Sequence, residues 1–170
     1  MADSNHVSKV KEGAAAWNKW REEEPDVMPD LGWANLNGLN LDGAVFAKSA
    51  LKLAFCKGSS LVGADFSEAN MRGVNFEGCD LRGAVFRDAN LEGAHMLGAD
   101  LTGADFTGAN LKLANLDGAI LRDADLTGAK KLRASQLFSV RDIGNLKVSD
   151  QILEKVKDQV PHLFDSSTRS

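Results

Sequence analysis

The chain has 170 residues, 44% hydrophobic and 26% charged, a length and balance that suit one folded domain. Its net charge of −4 is too mild to argue alone for a nucleic-acid or membrane partner, and no apolar run is long enough to span a bilayer. The opening MADSNHVSKVKEG lacks the apolar core of a signal peptide, so the expected location is cytoplasmic.

Residues 1–33 read as an N-terminal helical cap. Val7, Val10, Ala14, Trp17 and Arg21 recur three or four apart, which predicts one amphipathic helix over 6–24. Ser4 or Asn5 would cap its start and Pro25 would end it. Trp17, Trp20 and, farther along the chain, Trp33 are large enough to plug the apolar cross-section that a stacked fold leaves bare at its first coil. A ligand platform is the other use for such a tryptophan pair.

Residues 34–128 form nineteen unbroken blocks of five. The middle residue of each is Leu, Phe, Met or Cys, and the residue two earlier is mostly Ala. A period of five fits neither a helix nor a simple strand, so it describes a corner-and-edge unit stacked on itself, an all-β solenoid. Identical residues also sort at a spacing of twenty. One column reads Leu41, Leu61, Leu81, Leu101 and Leu121; the next reads Phe46, Phe66, Phe86, Phe106 and Leu126. Four blocks therefore make one turn, about 4.75 coils in all, with like residues stacked along the axis. Gly recurs at the last position, without exception in the column Gly38, Gly58, Gly78, Gly98 and Gly118, which predicts a corner with positive φ.

Residues 129–170 read as a C-terminal helical cap and tail. Lys131 falls where the next middle residue would be, and an unpaired buried charge would stop the coil. A helix is predicted over Asp150–Gln159, with Ser149 as N-cap, Ile152, Leu153, Val156 and Val160 as its apolar stripe, and Pro161 closing it. Residues from Asp165 read as a frayed tail. Leu163 and Phe164 could serve a homodimer contact instead of a cap, so the expected state is a monomer or weak homodimer.

The blocks ANLNG, ADFSE, ANMRG, ANLEG, ADLTG, ADFTG and ANLDG resemble the pentapeptide-repeat family over the 95 residues 34–128. The lead-in GAAAWNKWREEEPDVMPDL, residues 13–31, is similar to the helical segment that precedes such repeats in many bacterial members, pointing to a cyanobacterial-type member. The resemblance implies a right-handed quadrilateral β-helix with the middle and Ala-type side chains inside. Three weak copies, at 49–51, 54–56 and 59–61, put the smoothness of one coil in question.

No catalytic constellation stands out. His6, His95 and His162 are scattered over the three segments. Asp65, Asp80, Asp100, Asp105 and Asp125 alternate with Asn at one repeat position, as a solvated or corner-bonding position would. Cys56 and Cys79 occupy inward positions without CxxC or metal-ligand spacing, so reduced core thiols, no metal and no cofactor are expected.

What remains is surface. The Phe-column face carries Asp65, Glu68, Asp88, Asp105 and Asp125 against Lys48 and Arg87, a net −3. The Leu-column face nets −2. A fourth face carries Lys52, Arg72 and Lys112 against Glu92, a net +2, beside a ladder of Asn70, Asn90 and Asn110. That basic face could dock an acidic protein partner; the plainer role of the amides is to stabilise stacking. The expected function is a non-enzymatic interaction module or scaffold with no direct nucleic-acid or membrane contact. The family resemblance also implies an alternative, a topoisomerase (gyrase) binding protein that imitates duplex DNA through its acidic faces.

Overall fold

The computed structural model describes residues 2–164. Its core is a stack of coils joined by parallel bridges twenty residues apart, such as Asn40↔Ser60↔Asp80↔Asp100 and Val45↔Asp65↔Val85↔Asp105↔Asp125. Each five-residue side supplies one bridging residue and then turns. Among the described residues no side extends into a continuous strand, so the expected all-β solenoid is built of single bridges. The geometry leaves no room for more: the next block's Ala N–H bonds back to the middle residue's carbonyl, as in Ala44 N to Leu41 O at 3.1 Å. That closes a four-residue turn at the corners of the repeat; at Leu36–Leu39 the Ser59 hydroxyl stands in its place, accepting from Leu39 N and donating to Leu36 O.

Those turns require positive φ at their third residue, which is the last residue of each block. The glycines there supply it, Gly58 at 67° and Gly98 at 66° among them. The Asn or Asp at the bridging position completes the corner by accepting the N–H two residues on, as Asn75 does from Glu77 at 2.9 Å and Asp125 from Thr127 at 2.9 Å. Middle and Ala-type side chains fill the interior. Phe46, Phe66, Phe86 and Phe106 stack face to face, with successive centroids 5.2, 5.2 and 4.7 Å apart and planes within 10°. The weak copies leave the ladder intact: Ala50, Phe55 and Ser60 each bridge to the coil above and below.

The coil runs beyond residues 34–128 at both ends. Asp30 already bridges to Ala50, and Leu31 is fully buried. At the other end Lys131 does not stop the winding. It sits exposed with φ of 61°, and the chain bulges outward before resuming with Ile120↔Asp142 and Asp125↔Lys147. The spacing there has grown from twenty to twenty-two. Ile143 thereby reaches a middle position and is buried. A lysine at an inward position is accommodated by moving the backbone out, because two extra residues cost less than burying the charge.

The N-terminal segment forms two helices instead of one, α1 (Ser4–Lys11) and α2 (Ala14–Glu23), broken at Gly13 with φ of 106°. Asp3, and neither Ser4 nor Asn5, is the N-cap of α1, accepting from Asn5 N at 2.8 Å. Trp17 of α2 is the plug: fully buried, it packs on Phe46 with ring centroids 5.3 Å apart and planes tilted by 35°, and donates its indole N–H to Val45 O at 2.8 Å. Asn18 donates to Gly43 O at 2.9 Å and accepts from Val45 N at 2.8 Å, so side chains of α2 bond the backbone edge where no earlier coil exists. Trp20 packs beside Trp17 at 5.0 Å, whereas Trp33 is no plug and stands 59% exposed.

Helix α3 spans Asp150–Gln159 with Ser149 at the N-cap position, although the serine side chain makes no cap bond. Val156 is its buried anchor, and Ile152 and Val160 pack beside it. Leu163 and Phe164 pack, half-buried, against the same core. The tail expected from Asp165 lies outside the described residues.

Candidate interaction face

Asn70, Asn90 and Asn110 do form one column, bridged Ala50↔Asn70↔Asn90↔Asn110↔Lys130. Their side-chain oxygens are taken by their own corners, accepting from Arg72, Glu92 and Lys112 N–H groups at 3.4, 3.2 and 3.2 Å. Asn110 also donates to Asn90 at 3.0 Å. The amides therefore serve stacking and corner geometry. The basic groups stand outward of them. Glu92 lies between two, 3.7 Å from Arg72 and 2.9 Å from Lys112. The Lys112 hydrogen bond, helped by Arg72 and Lys131 nearby, holds the Glu92 carboxyl below the usual carboxylate range. Lys52 is exposed and in no ion pair among the described residues.

One corner of this face departs from the repeat. Trp33, Leu53 and Leu113 occupy last-of-block positions, twenty or a multiple of twenty apart, with φ of 65°, 58° and 57°. Leu113 is 68% exposed, and Phe55 next to Leu53 is 41% exposed. Leu53 is half-buried because its side chain lies over Gly73, where an added Cβ would meet Leu53 Cδ2 at 2.6 Å. Large apolar side chains thus stand in water at a backbone conformation that disfavours them by roughly 1–2 kcal/mol each. Sequence reasoning passed over Leu53 and Leu113 and read Trp33 as a plug. The signal was present, as a bulky apolar residue where the period supplies glycine.

Beside Leu113 the bulge adds a second feature. Gln136 donates through Nε2 to Leu111 O and Ala114 O, both at 2.8 Å, and accepts from Arg133 N at 2.9 Å. This pins the bulge against the coil and leaves a groove of about 660 Å³ between them, lined by Lys112, Leu113, Lys131 and Arg133 with Glu92 at its side. Lys131 and Arg133 had been assigned to a cap. A smaller groove of about 480 Å³ lies by α1 and α2, lined by His6, Lys9, Trp20 and Val27 among others.

The acidic face is less free than its composition suggests. Asp65, Asp105 and Asp125 are bridging residues bonded to their own corners, each at 2.9 Å. Lys48 lies 3.9 Å from Glu68, and Arg87 pairs with Asp105. Lys130 and Lys147, both from beyond residue 128, reach Asp88 at 3.3 Å and Asp125 at 3.4 Å.

The interior chemistry is quiet. Cys56 and Cys79 are buried free thiols, and burial pushes both up, Cys79 to about 11. Among the described residues no group of three His, Cys, Asp or Glu side chains could hold a metal ion, and no helix is long and apolar enough to cross a membrane.

A family model for pentapeptide repeats matches residues 54–88, 84–123 and 98–130, in eight copies. Among solved structures, the chain is similar to a pentapeptide repeat protein from the thylakoid lumen of Arabidopsis thaliana, with 33% identity, a TM-score of 0.57, and coverage of 68% of this chain and 79% of that one. It is also similar to Rfr23, a pentapeptide repeat protein of the cyanobacterium Cyanothece 51142, with 26% identity, a TM-score of 0.55, and coverage of 68% and 88%. The plasmid-mediated fluoroquinolone resistance protein QnrB1 is more distant, at 18% identity and a TM-score of 0.44 over 75% of this chain and 70% of that one. No curated protein matches the chain.

Proposed function

The chain belongs to the pentapeptide-repeat family, and from that premise we propose that it is a non-enzymatic interaction module whose coil offers its basic, apolar-edged face to a protein partner. The observation that carries this reading is the corner of Trp33, Leu53 and Leu113. Three left-handed, apolar positions on one edge oppose the local backbone preference, and the exposure of Trp33 and Leu113 opposes burial. Protein interfaces favour tryptophan and arginine as anchors, here Trp33 and Arg72, with the exposed leucines adding apolar area beside Lys52 and Lys112. A coil held by backbone bonds at every side would need little ordering when it binds.

The DNA-imitating alternative asks for a long row of free carboxylates. Here the acidic residues are bonded to their own corners or paired with Lys48, Arg87, Lys130 and Lys147. The interaction-module reading includes a cytoplasmic location, no cofactor, and a monomeric or weakly dimeric state that light scattering would check.

The test is affinity capture from the native cell with the parent protein and the Trp33→Gly/Leu113→Gly variant side by side. Proteins retained by the parent and lost by the variant support the reading. Identical captured sets would remove it.

A further inference from the structure

We propose that the groove between Lys112 and the bulge of residues 131–136 seats an acidic, leucine-bearing segment of a protein partner. Its carboxylates would lie on Lys112, Lys131 and Arg133, and its apolar side chain on Leu113. The inference rests on the interaction-module reading and names the chemistry of the partner.

Charge is the first argument. The groove wall carries three cations against the single carboxylate of Glu92, which already engages Lys112. Neither Lys131 nor Arg133 is in an ion pair among the described residues, although most other cations of the coil have found one. Two positive charges are left unmatched on a chain whose net charge is −4. An acidic segment supplies what is missing.

Construction is the second. The bulge exists because the coil lengthens from twenty to twenty-two residues after Lys130. Gln136 then ties it to Leu111 and Ala114 below and to Arg133 N above. The cations are presented on a wall tied to the coil at two backbone carbonyls and braced internally at Arg133 N, so a bound segment would not have to order it.

The third is the apolar partner. Leu113 stands 68% exposed at φ of 57° directly on the groove. A phosphodiester backbone would make no use of that side chain. An acidic protein segment with interspersed leucines uses both the cations and the apolar contact.

Fluorescence anisotropy with the full chain tests this. The probe is a short fluorescein-labelled peptide alternating Glu with Leu; the controls are its Gln-for-Glu counterpart and a labelled single-stranded oligothymidylate. Salt-weakened binding of the Glu peptide alone is expected. Lys131→Glu/Arg133→Glu should weaken it about tenfold, since two exposed charges are reversed. The milder Lys131→Gln/Arg133→Gln should weaken it less, with both variants checked for an unchanged circular dichroism spectrum. If only the Gln variant folds, its weakening alone decides. No binding of the Glu peptide, binding indifferent to the variants, or tighter binding of the oligothymidylate overturns the proposal. If the groove fails while capture still depends on Trp33 and Leu113, the interaction-module reading stands without it. If capture is also indifferent, both fall.

Discussion

Ser49 and Ser59 take the same inward repeat position and differ by two hydrogen bonds, since Ser59 Oγ also accepts from Leu39 N at 3.3 Å. Both are buried in place of alanine. Ser59 Oγ donates to Leu36 O at 2.7 Å, whereas Ser49 Oγ has no partner. An unsatisfied buried hydroxyl costs about 1–3 kcal/mol, and a satisfied one contributes about 1 kcal/mol. Ser49→Ala should therefore raise the urea unfolding free energy by about 1 kcal/mol, and Ser59→Ala should lower it by a similar amount. Changes of one sign in both variants would contradict the contrast. The two serines look alike in the sequence, where both mark weak copies. Only coordinates show which finds a carbonyl. Bridging aspartates were more legible: their alternation with Asn pointed to corner bonding, and Asp65, Asp105 and Asp125 all accept their corner N–H groups.

At the scale of elements, each flank departs from its expected form for a local physical reason. Helical periodicity ran straight through Gly13, but the residue's left-handed backbone redirects the chain so that α2 can cross the first coil. Helix α3 matches its expected bounds because Ser149, the apolar spacing and Pro161 agree with one another. The bulge after Lys130 was illegible, since a two-residue insertion erases the five-residue period just where it matters. Trp17 is the element-level keystone. Trp17→Ala should destabilise the chain by about 3–5 kcal/mol, as for other buried Trp truncations, and bare the end of the coil. Urea unfolding and light scattering would show the loss together with new self-association. A variant as stable and as monodisperse as the parent would refute the plug.

For the whole molecule, the twenty-residue register was fully legible because stacking puts like residues in contact, as the 5.2 Å separation of Phe66 and Phe86 shows. Carboxylates add a pH dependence to that stack. Arg82 hydrogen-bonds Asp80, and Thr127 hydrogen-bonds Asp125, so both carboxyls titrate below their ordinary value. Depressed folded-state values mean stability that is present above the unfolded value of about 4 and lost as pH falls through the folded values. The urea midpoint should hold down to about pH 4 and drop below it. A midpoint that rises on acidification below that point would reverse the sign.

The proposed interaction surface was only half legible. Lys52, Arg72 and Lys112 could be placed by counting; Trp33, Leu53 and Leu113 stand out in the sequence as bulky residues where the period supplies glycine, but their left-handed backbone and exposure came only with the coordinates. If Trp33 and Leu113 are displayed for a partner, the fold should scarcely need them. The most direct measurement is the urea unfolding free energy of Trp33→Gly/Leu113→Gly against the parent. Relief of the left-handed backbone and loss of residual burial nearly offset, so a change within about 1 kcal/mol per site is expected. A loss of about 2–5 kcal/mol per site, the cost of truncating a core side chain, would make these residues structural and contradict the account.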